Sequence, residues 1–401
     1  MDFDVDPERQ SVEYEPVGVK DLLIEMKDSS ELIVDLAYSA LLHNSESLAE
    51  EVLELEAKMD MLQMQARMNL LMASRTTDDA KRLAPVLGIV GATEKISDAA
   101  GEIATVVLGE MQLPGSIKAA LPEAMEVLSR ATVTEDSAYV GRNLGEIDLE
   151  TETGVRVIAV RGDDQWVLNP EATTTINAGD MLLLRGAEAN VSDVYERASG
   201  EPFEYPGETE EEITDLSRAV DTIVLMKNVS ELSVDLAYAS VLSDDTELAQ
   251  EVHSLEVEVD GFKERLEAWT LRAAGEMDDP VRLRGLLHLA NSTEIISDAA
   301  LEITEGILRD IDTHPVISES VRESDVAVRR IVVTEDSRFA ETDVGTVLEA
   351  YPGGAIIAIH RQTDEWNFYP DEDAPIVGGD VLIVRGTWEA TSELLDELQA
   401  S

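Results

Sequence analysis

The chain is written twice. The segment Ser30 to Tyr38 (SELIVDLAY) returns as Ser230 to Tyr238 (SELSVDLAY). Thr93 to Ala100 (TEKISDAA) returns as Thr293 to Ala300 (TEIISDAA), and Val133 to Ser137 (VTEDS) as Val333 to Ser337. Gly179-Asp180, an apolar run and Arg185-Gly186 return as Gly379-Asp380 and Arg385-Gly386. Each block recurs at a spacing of 200 residues, so the halves align over these blocks without a net gap. A repeat of this kind limits the architecture to two copies of one composite unit, expected to pack as an internal pseudo-dimer.

Charge is the second constraint. Acidic residues outnumber basic ones 84 to 30, for a formal net charge of −54, and only eight of the bases are Lys. Yet 44% of residues are hydrophobic and periodically placed, which argues against disorder. So much like charge opposes a compact state in dilute buffer. At molar salt the Debye length falls to about 3 Å and the repulsion is screened. The composition therefore reads as that of a protein of a salt-loaded cytoplasm, as in halophilic archaea. It also argues against direct nucleic-acid binding, since no basic stripe is present to displace phosphate counterions. With no cysteine, disulfides and thiolate metal sites are excluded. The beginning of the chain is not expected to act as a signal peptide, and no apolar run approaches the ~18–20 residues of a membrane span. A cytoplasmic protein, peripheral to a membrane at most, is expected.

Each half changes its period midway. Residues 17–127 carry apolar positions at helical spacing, in three segments: Val17 onward, about Glu46 to Ser74, and from Thr76-Thr77-Asp78-Asp79, which has the form of a helix cap, to about Gly109. Residues 128–199 turn strand-like, with Val155 to Arg161 and Gln165 to Asn169 joined through a Gly162-Asp163-Asp164 turn. Residues 200–212, rich in Pro, Gly and Glu, read as a linker. Residues 213–325 then repeat the helical module and 326–401 the strand-rich one. The expected fold class is α+β and multidomain: two copies of a three-helix bundle followed by a small α/β domain.

The strand-rich module resembles the TrkA-C domain, also called the RCK C-terminal domain. The resemblance rests on Gly145 and Gly345, on strands ending Ala159-Val160-Arg161 and Ala358-Ile359-His360-Arg361, on Trp166 to Pro170 and Trp366 to Pro370, and on the Gly-Asp and Arg-Gly pairs. It implies a ligand-sensing module attached to potassium channels and cation transporters, some members of which bind cyclic di-AMP at a dimer interface. The helical module resembles PhoU. Its E-x-x-x-D signature is present as Glu31/Asp35 and Glu94/Asp98, and again as Glu231/Asp235 and Glu294/Asp298. Each segment is similar to half of a complete PhoU. No Gly-x-Gly-x-x-Gly follows an expected strand, so the nucleotide-binding Rossmann domain of potassium-channel regulators is expected to be absent.

Carboxylates four residues apart share one helix face. Pairs on neighbouring helices can converge on a hard divalent cation such as Mg²⁺ or Mn²⁺, with iron or zinc also compatible. The eight signature carboxylates are therefore candidate metal ligands. The competing reading is a solvated or structural face, common among so many acids. No histidine is spaced to assist.

In the TrkA-C-like modules, Val157, Ile158, Arg161 and Asn169, with Ile357, Ala358 and Arg361, are the candidate ligand-binding residues. Were the strands of the two halves to face each other across the pseudo-twofold axis, an apolar cleft flanked by arginines would result. Guanidinium forks suit phosphate, and a cyclic dinucleotide would fit such a cleft. The competing reading makes these strands interface core. No catalytic constellation is present. The functional expectation is a regulatory subunit that senses a small ligand and controls a membrane potassium or cation channel or transporter, with homo-oligomers compatible. The alternative is a metal-binding, PhoU-type phosphate-signalling protein.

Overall fold

The structure, a computed structural model, describes residues 18–43, 45–109, 126–162, 165–168, 170–203, 214–277, 279–309, 326–335, 337–350, 354–363, 366–368 and 370–387, together with Thr391 and Leu394. Six long helices carry the architecture. In the first half these are α1 (Val19–His43), α2 (Glu46–Ala73) and α3 (Thr77–Leu108). Side chains start two of them: Ser45 Oγ accepts from the Leu48 amide at 3.4 Å, and Thr76 forms a capping box with Asp79. The expected cap is thus in place, with Thr76 as the capping residue. Pro85 lies inside α3, which runs through it without a break in the helix.

The first strand-rich module follows. It contains β1 (Glu126–Thr132), two short helices, α4 (Leu144–Ile147) and α5 (Leu149–Thr153), then β2 (Arg156–Gly162), β3 (Gln165–Leu168), β4 (Met181–Ala187) and α6 (Glu188–Ser199). The sheet is antiparallel throughout, in the order β1-β4-β2-β3. Its turn into β4 needs glycine: Gly179 has φ of 88° and its counterpart Gly379 has 89°. Asp180 holds that turn by accepting from the Asn177 amide at 2.7 Å.

The second half repeats the plan with α7 (Thr214–Ser243), α8 (Thr246–Ala274) and, after a 3₁₀ turn at Pro280–Leu283, α9 (Arg284–Leu308). Its module has β5 (Val326–Val332), β6 (Thr342–Asp343), α10 (Val344–Ala350), β7 (Gly354–His360), β8 (Trp366–Phe368), β9 (Pro375–Ile376) and β10 (Val381–Thr387). The main sheet has the matching order β5-β10-β7-β8. Past β10, Thr391 and Leu394, both buried, fall within the described residues.

The two helical bundles share one core. Helix α3 packs on α9, and α9 also packs on α7. At this seam a Cβ on Gly306 would lie 2.8 Å from Cβ of Pro85, so the α9 backbone rests directly against the proline ring. Hydroxyls tie the halves reciprocally. Tyr38 meets Thr293 at 2.8 Å, and Tyr238 meets Thr93 at 3.1 Å. Both tyrosines are buried, so each hydroxyl needs the partner that the other half supplies.

Each sheet has two apolar faces. One belongs to the module's own core, which holds Val157 in the first half and Ile356 in the second. The other merges into the helical core through Ile158, Ala159 and Leu183, and through Ile357, Ala358 and Ile383. Consecutive strand residues normally alternate faces. Here a bulge breaks the β2–β4 register at Ile158, which puts Ile158 and Ala159 on the same core. The candidate cleft residues Ile158, Ile357 and Ala358 thus lie buried against helices.

Register corrects a second expectation. Ala159 stands opposite Leu183, and Ala358 opposite Ile383, so within β2 and β7 equivalent residues are 199 apart. Arg161 therefore matches His360, since both pair with the β4 or β10 start and with Trp166 or Trp366. Arg361 lies one residue past the strand, in the following turn. A constant spacing of 200 hid this, because the hairpin of the second half is one residue longer.

Candidate functional site

Two kinds of acidic constellation emerge from the E-x-x-x-D motifs, and they differ in what faces them. The first motif, on α1 and α7, lies at the centre of the molecule. Lys27 Nζ is 2.8 Å from Glu31, and Lys227 Nζ is 2.7 Å from Glu231, each one helical turn away. Arg185 of β4 reaches Asp35 at 2.6 Å, and Arg385 of β10 reaches Asp235 at 3.3 Å. Both lysines lie against a tyrosine of the opposite half: Lys27 Nζ is 5.5 Å from the Tyr238 ring centre, and Lys227 Nζ 5.2 Å from that of Tyr38.

These pairs form one network across the pseudo-twofold axis. Burial, followed by the negative Glu31 of the other half, pushes the Asp235 carboxyl up, while Arg185 and Lys27 pull it down. Burial likewise lowers the Arg385 guanidinium, against the pull of Asp35 and Glu31. Four organic cations thus serve Glu31, Asp35, Glu231 and Asp235, and these carboxylates do not join those of the second motif. Its chemistry is docking: each arginine ties its sheet to the first helix of its own half.

The second motif, on α3 and α9, finds acids instead. Glu94 and Asp98 face Glu56 and Asp60 of α2, with Glu102 one turn further on. Glu294 and Asp298 face Glu256 and Asp260 of α8. Carboxylate oxygens of Glu256, Asp260 and Asp298 all fall within 4.8 Å of one another, a spacing that suits a shared cation. Burial first, then Asp98, Asp60 and Glu102, push Glu56 up to about 7. Burial and the neighbouring acids raise Asp98, Asp298 and Glu256 as well. Among the described residues, Arg67 is 3.6 Å from Glu94, Lys263 is 2.7 Å from Glu294, and His253 Nδ1 is 3.8 Å from Glu256.

One backbone feature fits a metal. A Cβ at Gly101 would lie 2.1 Å from Glu56 Oε2, so the absent side chain lets this carboxylate lie directly on α3 among the other acids. An all-oxygen, carboxylate-only donor set suits a hard divalent ion. The residues that would hold it are Glu56, Asp60, Glu94 and Asp98 in one half, and Glu256, Asp260, Glu294 and Asp298 in the other. Sequence reasoning missed the α2 and α8 members. The signal was present: Glu56/Asp60 and Glu256/Asp260 have the same four-residue spacing and the same 200-residue recurrence.

Of the candidate ligand residues in the strand-rich modules, Val157 is in the module core, and Asn169 lies outside the described residues. The Arg161 guanidinium lies over the Trp166 ring at 5.8 Å. Arg361 pairs with Asp380 and lines a cavity of about 240 Å³ together with Arg330, His360 and Gln362. His360 stacks on Trp366 with ring centres 4.2 Å apart.

Comparison with known proteins agrees with this division. The chain carries two PhoU domains, over residues 23–107 and 223–307, and two TrkA-C domains, over residues 128–199 and 328–399. Both are regulatory domains without catalytic function. No curated protein sequence matches the chain significantly. Among solved structures it is similar to PhoU from Pseudomonas aeruginosa, with 14% identity, 76% of this chain and 96% of that one covered, and a TM-score of 0.40. It is also similar to the RCK_C domain dimer of S. agalactiae BusR in complex with c-di-AMP, with 23% identity, 18% and 90% covered, and a TM-score of 0.17. A third match is the GsuK channel bound to NAD, with 13% identity, 69% and 53% covered, and a TM-score of 0.18. Among the described residues, no helix is long and apolar enough to cross a membrane.

Proposed function

We propose that the chain is a regulatory subunit that senses a small ligand through its TrkA-C modules and controls a membrane potassium or cation channel or transporter. Cyclic di-AMP or another nucleotide is the proposed ligand class, and a salt-rich cytoplasm the proposed setting. The observation that carries this reading is the pair of arginine–carboxylate bridges, Arg185–Asp35 and Arg385–Asp235. They join each sensing sheet to the helix at the pseudo-twofold axis, so a shift of either module changes a buried charge network shared by both halves. Ligand binding moves such an equilibrium only to the extent that it favours one arrangement. On the ligand side, Arg361, Arg330 and His360 line one cavity, and guanidinium forks suit a phosphate that would compete with their present carboxylate partners. The test is calorimetric titration of cyclic di-AMP, ATP and ADP at molar KCl, with spin-label distances between the two TrkA-C modules. Saturable binding with a distance change supports the reading. No binding, or binding without any change in distance or stability, overturns it.

A second reading, a metal-binding PhoU-type phosphate-signalling protein, is favoured by the acidic clusters on α2–α3 and α8–α9. A bound divalent ion there would supply positive charge to carboxylates that otherwise repel one another. Metal analysis of protein purified at molar KCl, repeated on Asp60→Ala with Asp98→Ala, tests it.

A further inference from the structure

The two halves differ where the sheet meets the second helix, and in the first half a groove lies beside that place, sharing Glu51 with it. In the second half, Glu251 of α8 is held twice: by Arg330 Nε at 3.3 Å and by His360 Nδ1 at 2.9 Å. Arg330 also bridges to Glu247 at 2.7 Å. The sheet thereby brings a guanidinium and an imidazole to the acidic face of the helix. In the first half the same positions carry Glu51, Arg130 and, by register, Arg161. Arg130 is exposed, and neither it nor Glu51 makes an ion pair among the described residues. Arg161 lies over Trp166 instead.

Beside Glu51 lies a groove of about 760 Å³ between α1, α2 and β3. Its walls include Asp28, Glu51 and Glu54, and its apolar lining includes Leu32, Leu55 and Leu168. Ser29, which is 8% exposed, also lines it, and its hydroxyl has no hydrogen-bond partner among the described residues. Among the described residues, Lys58 bridges to Glu25 at 2.6 Å at the rim, and the groove's Asp28 lies 3.7 Å from Lys27 Nζ. Burial, then Glu54 and Glu50, raise the Glu51 carboxyl, the signature of an acid without its counter-charge.

We propose that this groove is the docking site for a basic amphipathic helix of a partner protein. Arginine or lysine side chains of that helix take on Glu51 the place that Arg330 and His360 take on Glu251. Its apolar side chains lie on Leu32, Leu55 and Leu168. Three features select this occupant. The second half displays the same acid already engaged by guanidinium and imidazole. The lining is acidic and apolar together, as a helix-binding groove requires. The α1 edge, from Asp21 to Leu32, spans about three turns, which matches a short helix. A second copy of this chain, with its charge of −54, is a poor counterpart. The inference rests on the regulatory reading only in taking a protein as the partner.

The experiment is fluorescence anisotropy with the full chain at molar KCl. The probe is a labelled synthetic helix with arginine and leucine on one face; a scrambled peptide of the same composition is the control. Saturable binding at one equivalent is expected, at least about tenfold tighter than the scramble and weakened about tenfold by Glu51→Gln with Glu54→Gln. Those exposed or half-exposed Glu→Gln changes keep the fold, which circular dichroism checks. Equal binding of both peptides, or an unchanged affinity in the variant, overturns the proposal. Spermidine displacing the peptide at equal concentration also overturns it, by assigning the groove to small polycations. None of these outcomes depends on a nucleotide or a transporter, so failure here is separable from failure of the regulatory reading.

Discussion

Arg185 on β4 and Asp35 on α1 stand 150 residues apart in the chain and 2.6 Å apart in the fold, with 14% and 7% of their side-chain surface exposed. This pair and its counterpart, Arg385 with Asp235, decide how each sheet is set on the helices. They also decide which of the signature acids are free for other chemistry.

Removing one partner of such a pair leaves a buried charge uncompensated. Arg185→Ala is expected to destabilise the chain by about 3–5 kcal/mol, whereas Arg185→Met with Asp35→Leu is expected to cost far less. Denaturant unfolding at molar KCl measures both. A near-zero cost for the single change would mean that the sheet is not seated through this pair.

Glu56 gives a pH dependence with a definite sign. Its carboxyl is raised to about 7 in the folded protein, against an ordinary value of 4.5. A raised carboxyl binds its proton more tightly when folded, so its contribution is fully present below about 4.5 and is lost as pH rises through 7. Glu56→Gln is therefore expected to raise the melting temperature of metal-free protein at pH 8 and to leave it nearly unchanged near pH 4.5. An equal effect at both pH values would contradict the assignment of Glu56 to a repulsive cluster.

The two E-x-x-x-D motifs are expected to respond differently to mutation. Asp260→Ala with Asp298→Ala is expected to abolish divalent-ion binding in the second half, measured by calorimetry. Asp235→Asn is expected to leave it intact, because that carboxylate serves Arg385. The reverse pattern would place the metal at the pseudo-twofold axis.

Two glycines make a matched pair. At Gly306 a Cβ meets Pro85 at 2.8 Å, whereas at Gly261, inside α8, it meets nothing within 4 Å. Gly306→Ala is expected to destabilise by about 1–3 kcal/mol through overpacking. Gly261→Ala is expected to stabilise by about 0.5–1 kcal/mol through the lost freedom of the unfolded chain. Thermal melts of the two variants read the opposite signs directly.

Much of the fold was legible because its signals are local. The apolar stripe of α2, with Leu48, Val52, Leu55, Met59 and Leu62 on one side, follows the period of a helix, and all five are buried. Thr76 and Asp79 are a cap in the sequence and a cap in the structure, because capping involves residues three apart. Glu56 and Asp60 are equally local, with the same four-residue spacing, but lie outside the two signature segments. The match of Arg161 to His360 was not legible. The extra hairpin residue is compensated elsewhere in the module, so flanking blocks keep their spacing of 200 while the strand between them slips by one.

By itself the sequence determined the duplication, the switch from helical to strand period within each half, and the placing of carboxylates on single helix faces. These follow from spacing along one chain segment. Only the tertiary structure decided which of those carboxylates would meet cations and which would meet each other. A four-residue spacing fixes that Glu31 and Asp35 share a face, as Glu94 and Asp98 do, but not what lies opposite. Arg185 arrives from a strand in another domain, and Glu56 from a neighbouring helix. The charge that a buried carboxylate faces is set by packing between distant elements, and the same motif becomes a docking pair in one place and a candidate metal site in the other.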